Sequence, residues 1–234
     1  MEIVGVSLSV LYQFATNAAF LLLIALGLIV ILGMMNIINL AHGELMMLGA
    51  YTASGAVMWG VPFPVAVILS FFTVALFGAV LERTIVHRFY GRELGALVVT
   101  WGISLILAQG TLLLLGPFLP SIQIPGGSVS LGRYSYSVYW FILICISILA
   151  VLALWWVYNR TRFGLQARAV MQNADMARAL GVDSRRIYLI TFSIGAGLAG
   201  FSGALLAPTT SIMPFMGQQW VAPAFITVVV GGAA

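Results

Sequence analysis

The stretch LSVLYQFATNAAFLLLIALGLIVILG, residues 8–33, contains no charged side chain. A helix needs about 20 apolar residues to cross the hydrocarbon core of a bilayer. This stretch therefore predicts a membrane-spanning helix. Its apolar run is too long for the core of a cleaved signal peptide, and no basic segment precedes it, so we expect a retained first span.

Six further apolar segments follow along the chain. They are residues 36–59, 61–81, 94–116, 138–158 and 187–207, and a last apolar run at 221–234. The 234 residues are 62% hydrophobic and only 7% charged, with a mean hydropathy of +1.11. A soluble protein of this size would need more charge to cover its surface. The sequence predicts an all-α polytopic membrane protein, a bundle of about six to seven transmembrane helices.

The arginines indicate the orientation. All ten basic residues are Arg; three lie in loop 82–93 and six in loop 159–186. The loops 117–137 and 208–220 hold only Arg133. This alternation follows the positive-inside rule, which places both Arg-rich loops in the cytoplasm and the N-terminus outside. Topology thus explains the net charge of +4, and we expect membrane lipid rather than nucleic acid around this chain.

The segment GMMNIINLAHGE, residues 33–44, joins two apolar stretches without any Lys or Arg. Polar groups at membrane depth usually face a bundle interior or a watery cavity. In a continuous helix, one stripe about 80° wide would carry Asn36, Asn39, Gly43, Met47, Ala50 and Ser54, which are small or polar apart from Met47. His42 and Glu44 would project to either side of this stripe. We predict a helix with a polar or broken start that lines or gates a solute path. The predicted pathway residues are Asn36, Asn39, His42, Gly43, Glu44, Ala50 and Ser54.

Alternatives for this segment stay open at the level of sequence. Asn36 and Asn39 could simply join neighbouring helices through hydrogen bonds. His42 and Glu44 could form a surface pair at the cytoplasmic end of the span, or buried structural hydrogen bonds. The segment could be a bent helix or a re-entrant turn. We expect no metal site, because the second histidine, His87, lies in a different loop.

The loop 159–186 contains a short helix signal. Asn173 suits the N-cap, Asp175 suits the positive end of the helix dipole, and Gly181 suits the position after the last turn. Such a helix is marginal alone, and its alanines would allow close approach of another protein. We predict a docking element for a partner; the alternative is a solvated or headgroup-bound loop. The predicted docking residues are Asn173, Ala174, Asp175, Ala177, Arg178, Leu180 and Gly181.

Small residues recur every four positions in the segment 187–207. Such spacing lets helix backbones pack closely, and we assign this role to Gly195, Ala199, Gly200 and Gly203. The run GFSG at 200–203 also matches the nucleophile motif of rhomboid-type intramembrane proteases. Both histidines precede Ser202, whereas rhomboids carry theirs on a later helix, so packing is favoured.

Three motifs together resemble a known family. Ala41, His42, Gly43 and Glu44, headed by Asn36 or Asn39, closely resemble the N-x-x-x-A-H-G-E signature of LivH-type permeases of branched-chain amino acid ABC transporters. Residues 162–182 resemble the cytoplasmic coupling loop of the same family, and residues 230–232 resemble its late glycine motif. The resemblance spans essentially the whole chain.

The resemblance implies a permease subunit that imports branched-chain amino acids, or related solutes such as other amino acids, urea or amides. It implies a second, LivM-like permease subunit, two cytoplasmic ABC ATPase subunits that use ATP and Mg, and a periplasmic or extracellular substrate-binding protein. The location would be a bacterial or archaeal inner membrane. The coupling helix, 174–180, would dock in a groove of an ATPase subunit. Because family members continue past the glycine motif, we expect residues 1–234 to be one permease domain, truncated at its C-terminus.

No GxxxxGK[ST] motif occurs, and no nucleophile, base and orienting group combine into a catalytic set. We therefore expect a transport subunit that is not an enzyme and binds neither cofactor nor metal. The alternative function is an ATP-independent secondary transporter or channel. It is weakened because no predicted span centre carries a carboxylate.

Overall fold

The computed structural model describes residues 2–117, 119–131 and 134–232, and nearly all of them are helical. Arg133 and the last two residues of the 221–234 run lie outside the described residues. The helices are α1 (Glu2–Met35), α2 (His42–Met58), α3 (Phe63–Thr84), α4 (Glu93–Leu115), α5 (Val138–Arg160), α6 (Arg162–Gln172), α7 (Ala174–Ala179), α8 (Ser184–Leu206) and α9 (Gln218–Val230). Short 3₁₀ turns occupy Val86–Phe89 and Ala207–Thr209, and the strands are β1 (Ser128–Leu131) and β2 (Tyr134–Ser137).

Within the described residues, five helices are long and apolar enough to cross a membrane. They lie in α1, α3, α4, α5 and α8. The shorter helices α2 and α9, of 17 and 13 residues, account for the other two apolar segments. The predicted fold class, an all-α polytopic membrane protein, is confirmed.

Helices α2 and α8 form the centre of the bundle. Twelve of the 17 residues of α2 are buried, against three of the 23 residues of α5, so α5 leaves most of its apolar surface for lipid. Glycines bring the central backbones together: a Cβ on Gly49 would overlap the carbonyl oxygen of Gly200, and a Cβ on Gly203 would overlap that of Met46. Close contact of helix backbones thus depends on these residues having no side chain.

The small residues predicted for packing all lie at contacts of α8. Gly195 lies against Gly27 and Ile31 of α1. The backbone nitrogen of Ala199 lies beside Gly27 as well. Gly200 is flanked by α2 on one side and by Val74 and Ser70 of α3 on the other. One helix therefore packs its small residues against three neighbours.

The helix predicted to start near residue 36 begins instead at His42, so the prediction that Asn36 and Asn39 share a helical stripe with Ala50 and Ser54 is wrong. Residues 36–41 are not helical. Asn36 has a φ of 50°, a left-handed conformation that asparagine tolerates better than most residues. The side-chain Oδ1 of Asn39 accepts the backbone N–H of Ala41 at 3.0 Å. Such local bonds compete with helix formation.

The segment 36–41 runs back beside α1. His42 Nε2 lies 2.8 Å from the carbonyl oxygen of Ile24, far before the end of α1 at Met35. Six extended residues can cover the roughly 16 Å of helix that separate Ile24 from Met35. The polar start of the second span is thus a re-entrant non-helical segment followed by a short helix, and not a bent helix.

The loop 117–137 contains a hairpin that the sequence did not predict. Strands β1 and β2 pair antiparallel. The hydroxyl of Tyr12 on α1 donates to the carbonyl oxygen of Ser137 at 3.1 Å, and the rings of Tyr12 and Tyr136 meet edge to face at 4.9 Å. The hairpin is therefore anchored to the first half of α1.

Candidate functional site

Three polar side chains of α4 contact the re-entrant segment and the start of α2. Asn36 Nδ2 donates to Glu93 Oε1 at 2.6 Å, the N–H of Leu40 donates to Thr100 Oγ1 at 3.1 Å, and Ser104 Oγ donates to Glu44 Oε1 at 3.2 Å. Sequence reasoning missed this face of α4. Residues 93, 100 and 104 fall within about 40° of one another around a helix. Polar residues on one face of an otherwise apolar span could have predicted this contact.

Replacing Thr100 by valine is expected to lower the free energy of unfolding by about 1–2 kcal/mol, because it leaves the partly buried N–H of Leu40 without this acceptor. The matched control is Thr73→Val. Thr73 is exposed on α3 and bonds only carbonyls of its own helix, so its loss should be under about 0.5 kcal/mol. Unfolding titrations in mixed micelles measure both. Equal losses of stability in the two variants would contradict a role of Thr100 in holding residues 36–41.

His42 lies inside the bundle and is 1% exposed, so the interpretation of His42 and Glu44 as a surface pair is wrong. Its ring fills the space beside Gly27, where a Cβ would come within 3.0 Å of the imidazole Cε1. While Nε2 contacts the carbonyl of Ile24, Nδ1 has no hydrogen-bond partner among the described residues. Those residues also contain no cluster of three His, Cys, Asp or Glu side chains.

Glu44 is fully buried in the first turn of α2. Its Oε1 accepts from Ser104, and the side chain of Gln218 neighbours the same carboxylate. The second oxygen, Oε2, has no hydrogen-bond partner within the described part of the chain. We call the region where α2 begins beside the start of α9 the polar junction; it comprises Asn39, His42, Gly43, Glu44, Ser104, Gly217 and Gln218.

The polar junction is closed in this structure. A Cβ on Gly43 would overlap the carbonyl oxygen of Gly217, and a Cβ on Gly217 would overlap that of Gly43. Further along α2, Ala50 is fully buried and Ser54 donates to the carbonyl of Pro120 at 3.0 Å. The predicted pathway residues of α2 are packed, so any solute path here requires helices to move apart.

The Arg-rich loop 159–186 folds into two helices, α6 and α7. Asn173 caps α7, since its Oδ1 accepts the N–H groups of Asp175 and Met176 at 3.1 and 2.9 Å. Arg178 forms an ion pair with Asp175. Gly181 follows the helix with a φ of 86°, a conformation that favours glycine. Both ends of α7 thus carry the local signals that predicted it, whereas α6 was not predicted.

Of the three alanines of α7 that were expected to allow close approach of a partner, Ala179 is exposed and Ala174 is half-buried, but Ala177 is buried. Ala177 is 2% exposed and packs in a cluster with Val170 and Ile187, so it cannot touch another protein. The short methyl side chain is what allows α7 to lie close to α6 and α8. The large apolar side chains that face outward are Met176 and Leu180, which are 60% and 78% exposed.

Both Arg-rich loops lie together at one end of the bundle. A groove of about 700 Å³ runs between them, lined on one side by His87 and Tyr90 and on the other by Arg178 and Arg185. The Tyr90 hydroxyl donates to Glu82, and its ring lies 4.6 Å from that of Tyr188. Burial and the Glu82 carboxylate raise the pKa of Tyr90, so the phenol remains a donor. The shared position agrees with placing both loops on the same side of the membrane.

This chain belongs to the family of permease components of branched-chain amino acid transport systems, whose family model matches residues 10–234. It is a multi-pass membrane protein and a transport component. The predicted resemblance to LivH-type permeases and the predicted permease class are confirmed.

Characterised relatives cover most of the chain. The high-affinity branched-chain amino acid transport system permease protein BraD of Pseudomonas aeruginosa is 29% identical over 227 residues, which cover 90% of this chain and 74% of BraD. LivH of Escherichia coli K12 is 28% identical, with 90% and 74% covered. The probable LivH of Methanocaldococcus jannaschii is 25% identical, with 91% and 70% covered. No solved structure matches the chain significantly.

Proposed function

We propose that this chain is a permease subunit of an inner-membrane ABC importer for branched-chain amino acids. Its partners are a second, LivM-like permease subunit, two cytoplasmic ATPase subunits that hydrolyse ATP with Mg, and an external substrate-binding protein. The names of the relatives support branched-chain amino acids as the solute. The two Arg-rich loops support an orientation in which both face the cytoplasm. This subunit contributes the path, and its partners contribute the energy and most of the selectivity.

We assign the gate of this path to the polar junction. Non-helical backbone at membrane depth is tolerated only where it is buried in protein or lines a watery cavity. Residues 36–41 are non-helical, and Asn39 within them and His42 and Glu44 just after them are buried. Movement of α2 away from α9 would open this point in an alternating-access cycle.

The observation that carries the coupling role is the outward face of α7. Met176 and Leu180 expose large apolar side chains on a cytoplasmic loop, where an isolated protein gains nothing from them. An apolar helix face that lies in a partner's groove is a common recognition mode. We infer that these two side chains, positioned by Asn173, Ala174, Ala177 and Gly181 and flanked by Asp175 and Arg178, dock on an ATPase subunit.

Replacing Leu180 by glutamate is expected to lower ATP-dependent leucine uptake by about tenfold or more, because a charge replaces a central apolar contact. The assay uses the gene product assembled with its second permease, ATPases and binding protein in proteoliposomes. The control is Gln166→Glu, which adds the same charge at an exposed position of α6. Full uptake by the Leu180 variant would contradict this docking site. Uptake without any ATPase would instead favour the secondary transporter or channel.

A further inference from the structure

Glu44 is a buried carboxylate without a counter-ion. Every Arg that the structure describes lies in the two cytoplasmic loops, and within the described residues no ion pair reaches Glu44. Its neighbours Ser104 and Gln218 are neutral, and Oε2 accepts no hydrogen bond among them. A buried carboxylate without a counter-ion is unfavourable, so it either takes up a proton or pairs with a cation. A cationic group that enters this site would supply the counter-ion that Glu44 lacks among the described residues.

Two helix N-termini face the same point. Helices α2 and α9 start beside each other at Gly43 and Gly217, and neither start is capped by a described side chain. The first N–H group of each helix, at His42 and Gln218, donates to a preceding backbone carbonyl at 3.3 Å, so the N–H groups that follow are the ones available to a ligand. The first N–H groups of a helix have no partner within it and carry partial positive charge. Short helices that begin inside a transporter commonly direct these groups at the anionic part of a solute.

Two more polar atoms near the start of α2 lack a hydrogen-bond partner among the described residues. Asn39 Nδ2 and His42 Nδ1 are buried and have no hydrogen-bond partner in the described part of the chain. Gln218, by contrast, is exposed while it neighbours Glu44. Gln218 thus connects the buried Glu44 with the bundle surface, and this side of the junction is where a solute would reach Glu44 once the junction opens.

We propose that Glu44 binds the ammonium group of an amino acid during transport, while the N–H groups at the starts of α2 and α9 face its carboxylate. The inference rests on the proposed import function and adds the chemistry of the solute to it. A negative side chain beside uncapped N–H groups matches a zwitterion. The junction admits the solute when Gly43 and Gly217 separate, and their contact closes it again.

Protection from an apolar carboxyl reagent tests the site. The assembled transporter is treated with dicyclohexylcarbodiimide, which enters membrane proteins and modifies carboxyl groups, and labelling of Glu44 is followed by peptide mass spectrometry with and without ATP. Leucine and isoamylamine, which both carry an ammonium group, are expected to slow labelling about tenfold, leucine more than isoamylamine. The anion 4-methylpentanoate and the neutral isovaleramide carry no ammonium group and should not slow the labelling. Labelling of Glu93, which is exposed, is the internal control.

Equal protection by isovaleramide would overturn the proposal, because a neutral amide would then suffice. So would a Glu44 that stays unlabelled with and without ATP, since a residue that no small reagent reaches cannot bind an amine.

Uptake kinetics supply the second measurement. Glu44→Gln keeps the size of the side chain and an acceptor for Ser104 but removes the charge. It is expected to lower kcat/KM for leucine about tenfold to a hundredfold, whereas Glu44→Asp restores part of the loss and ATP hydrolysis stimulated by the loaded binding protein persists in both. Unchanged leucine uptake in Glu44→Gln overturns the inference and leaves the import function standing. Absence of ATP-dependent uptake in the unmodified protein instead refutes the import function itself.

Discussion

Replacing Gly49 by alanine is expected to lower the free energy of unfolding by about 3 kcal/mol or more, even though alanine is the better helix former by about 1 kcal/mol. The added methyl group would overlap the carbonyl oxygen of Gly200. Both sides of this contact are helix backbone, so no side chain can rotate away, and α2 must separate from α8. Unfolding titrations in mixed micelles measure the loss, and leucine uptake should fall with it.

Gly55 of the same helix is the matched control. A Cβ at this position meets nothing within 4 Å, so Gly55→Ala should leave stability unchanged or raise it by up to about 1 kcal/mol. The two variants make the same chemical change in the same helix and differ only in what the methyl group meets. A similar loss of stability in both variants would contradict this explanation. It would mean that alanine destabilises α2 for a reason other than its contact with α8.

The spacing of small residues predicted a close helix contact but not its partners. A repeat of glycine and alanine every four residues in α8 indicates a face without bulky side chains. Gly49 and Gly200 lie far apart in the sequence, and nothing in either segment specifies the other. The partners follow from the fold of the whole bundle, in which α8 contacts α1, α2 and α3 together.

The segment 36–41 shows where helical phase misleads. Placing Asn36 and Asn39 on a stripe assumed a continuous helix, which the apolar neighbours of the two asparagines allow. Two local signals opposed it: the tolerance of asparagine for positive φ and the bond from Asn39 Oδ1 to the N–H of Ala41. The hydrogen bond from Leu40 to Thr100 involves a later helix. The sequence of the segment alone therefore could not decide between a continuous helix and a re-entrant segment.

Helix α7 was predicted well at its ends, but the burial of Ala177 was not predicted. The caps at Asn173 and Gly181 act within a few residues, and such local chemistry can be recognised in a sequence. Alanine, in contrast, suits both an exposed and a tightly packed helix face. The burial of Ala177 depends on Val170 and Ile187, which lie on two other helices.

Replacing Ala177 by arginine is expected to detach α7 from the loop. Ala177 is 2% exposed, and it donates to Asn173 O at 2.9 Å and accepts from the N–H of Val182 at 3.0 Å. A guanidinium group finds neither room nor an acceptor in the apolar cluster, and burying an unpaired charge is strongly unfavourable. Amide hydrogen exchange in residues 174–182 should rise about a hundredfold, and leucine uptake should be lost.

Two further variants separate folding of α7 from docking. Ala179→Arg adds the same side chain at an exposed position of the same helix, so hydrogen exchange should stay near that of the unmodified protein. Leu180→Glu should also leave exchange unchanged while uptake falls, because Leu180 is exposed and contributes little to the fold. If Ala177→Arg blocked uptake with exchange unchanged, Ala177 would face the ATPase, and the docking surface would be the alanine face that the sequence predicted. Increased exchange in Ala177→Arg alone places the docking surface on Met176 and Leu180.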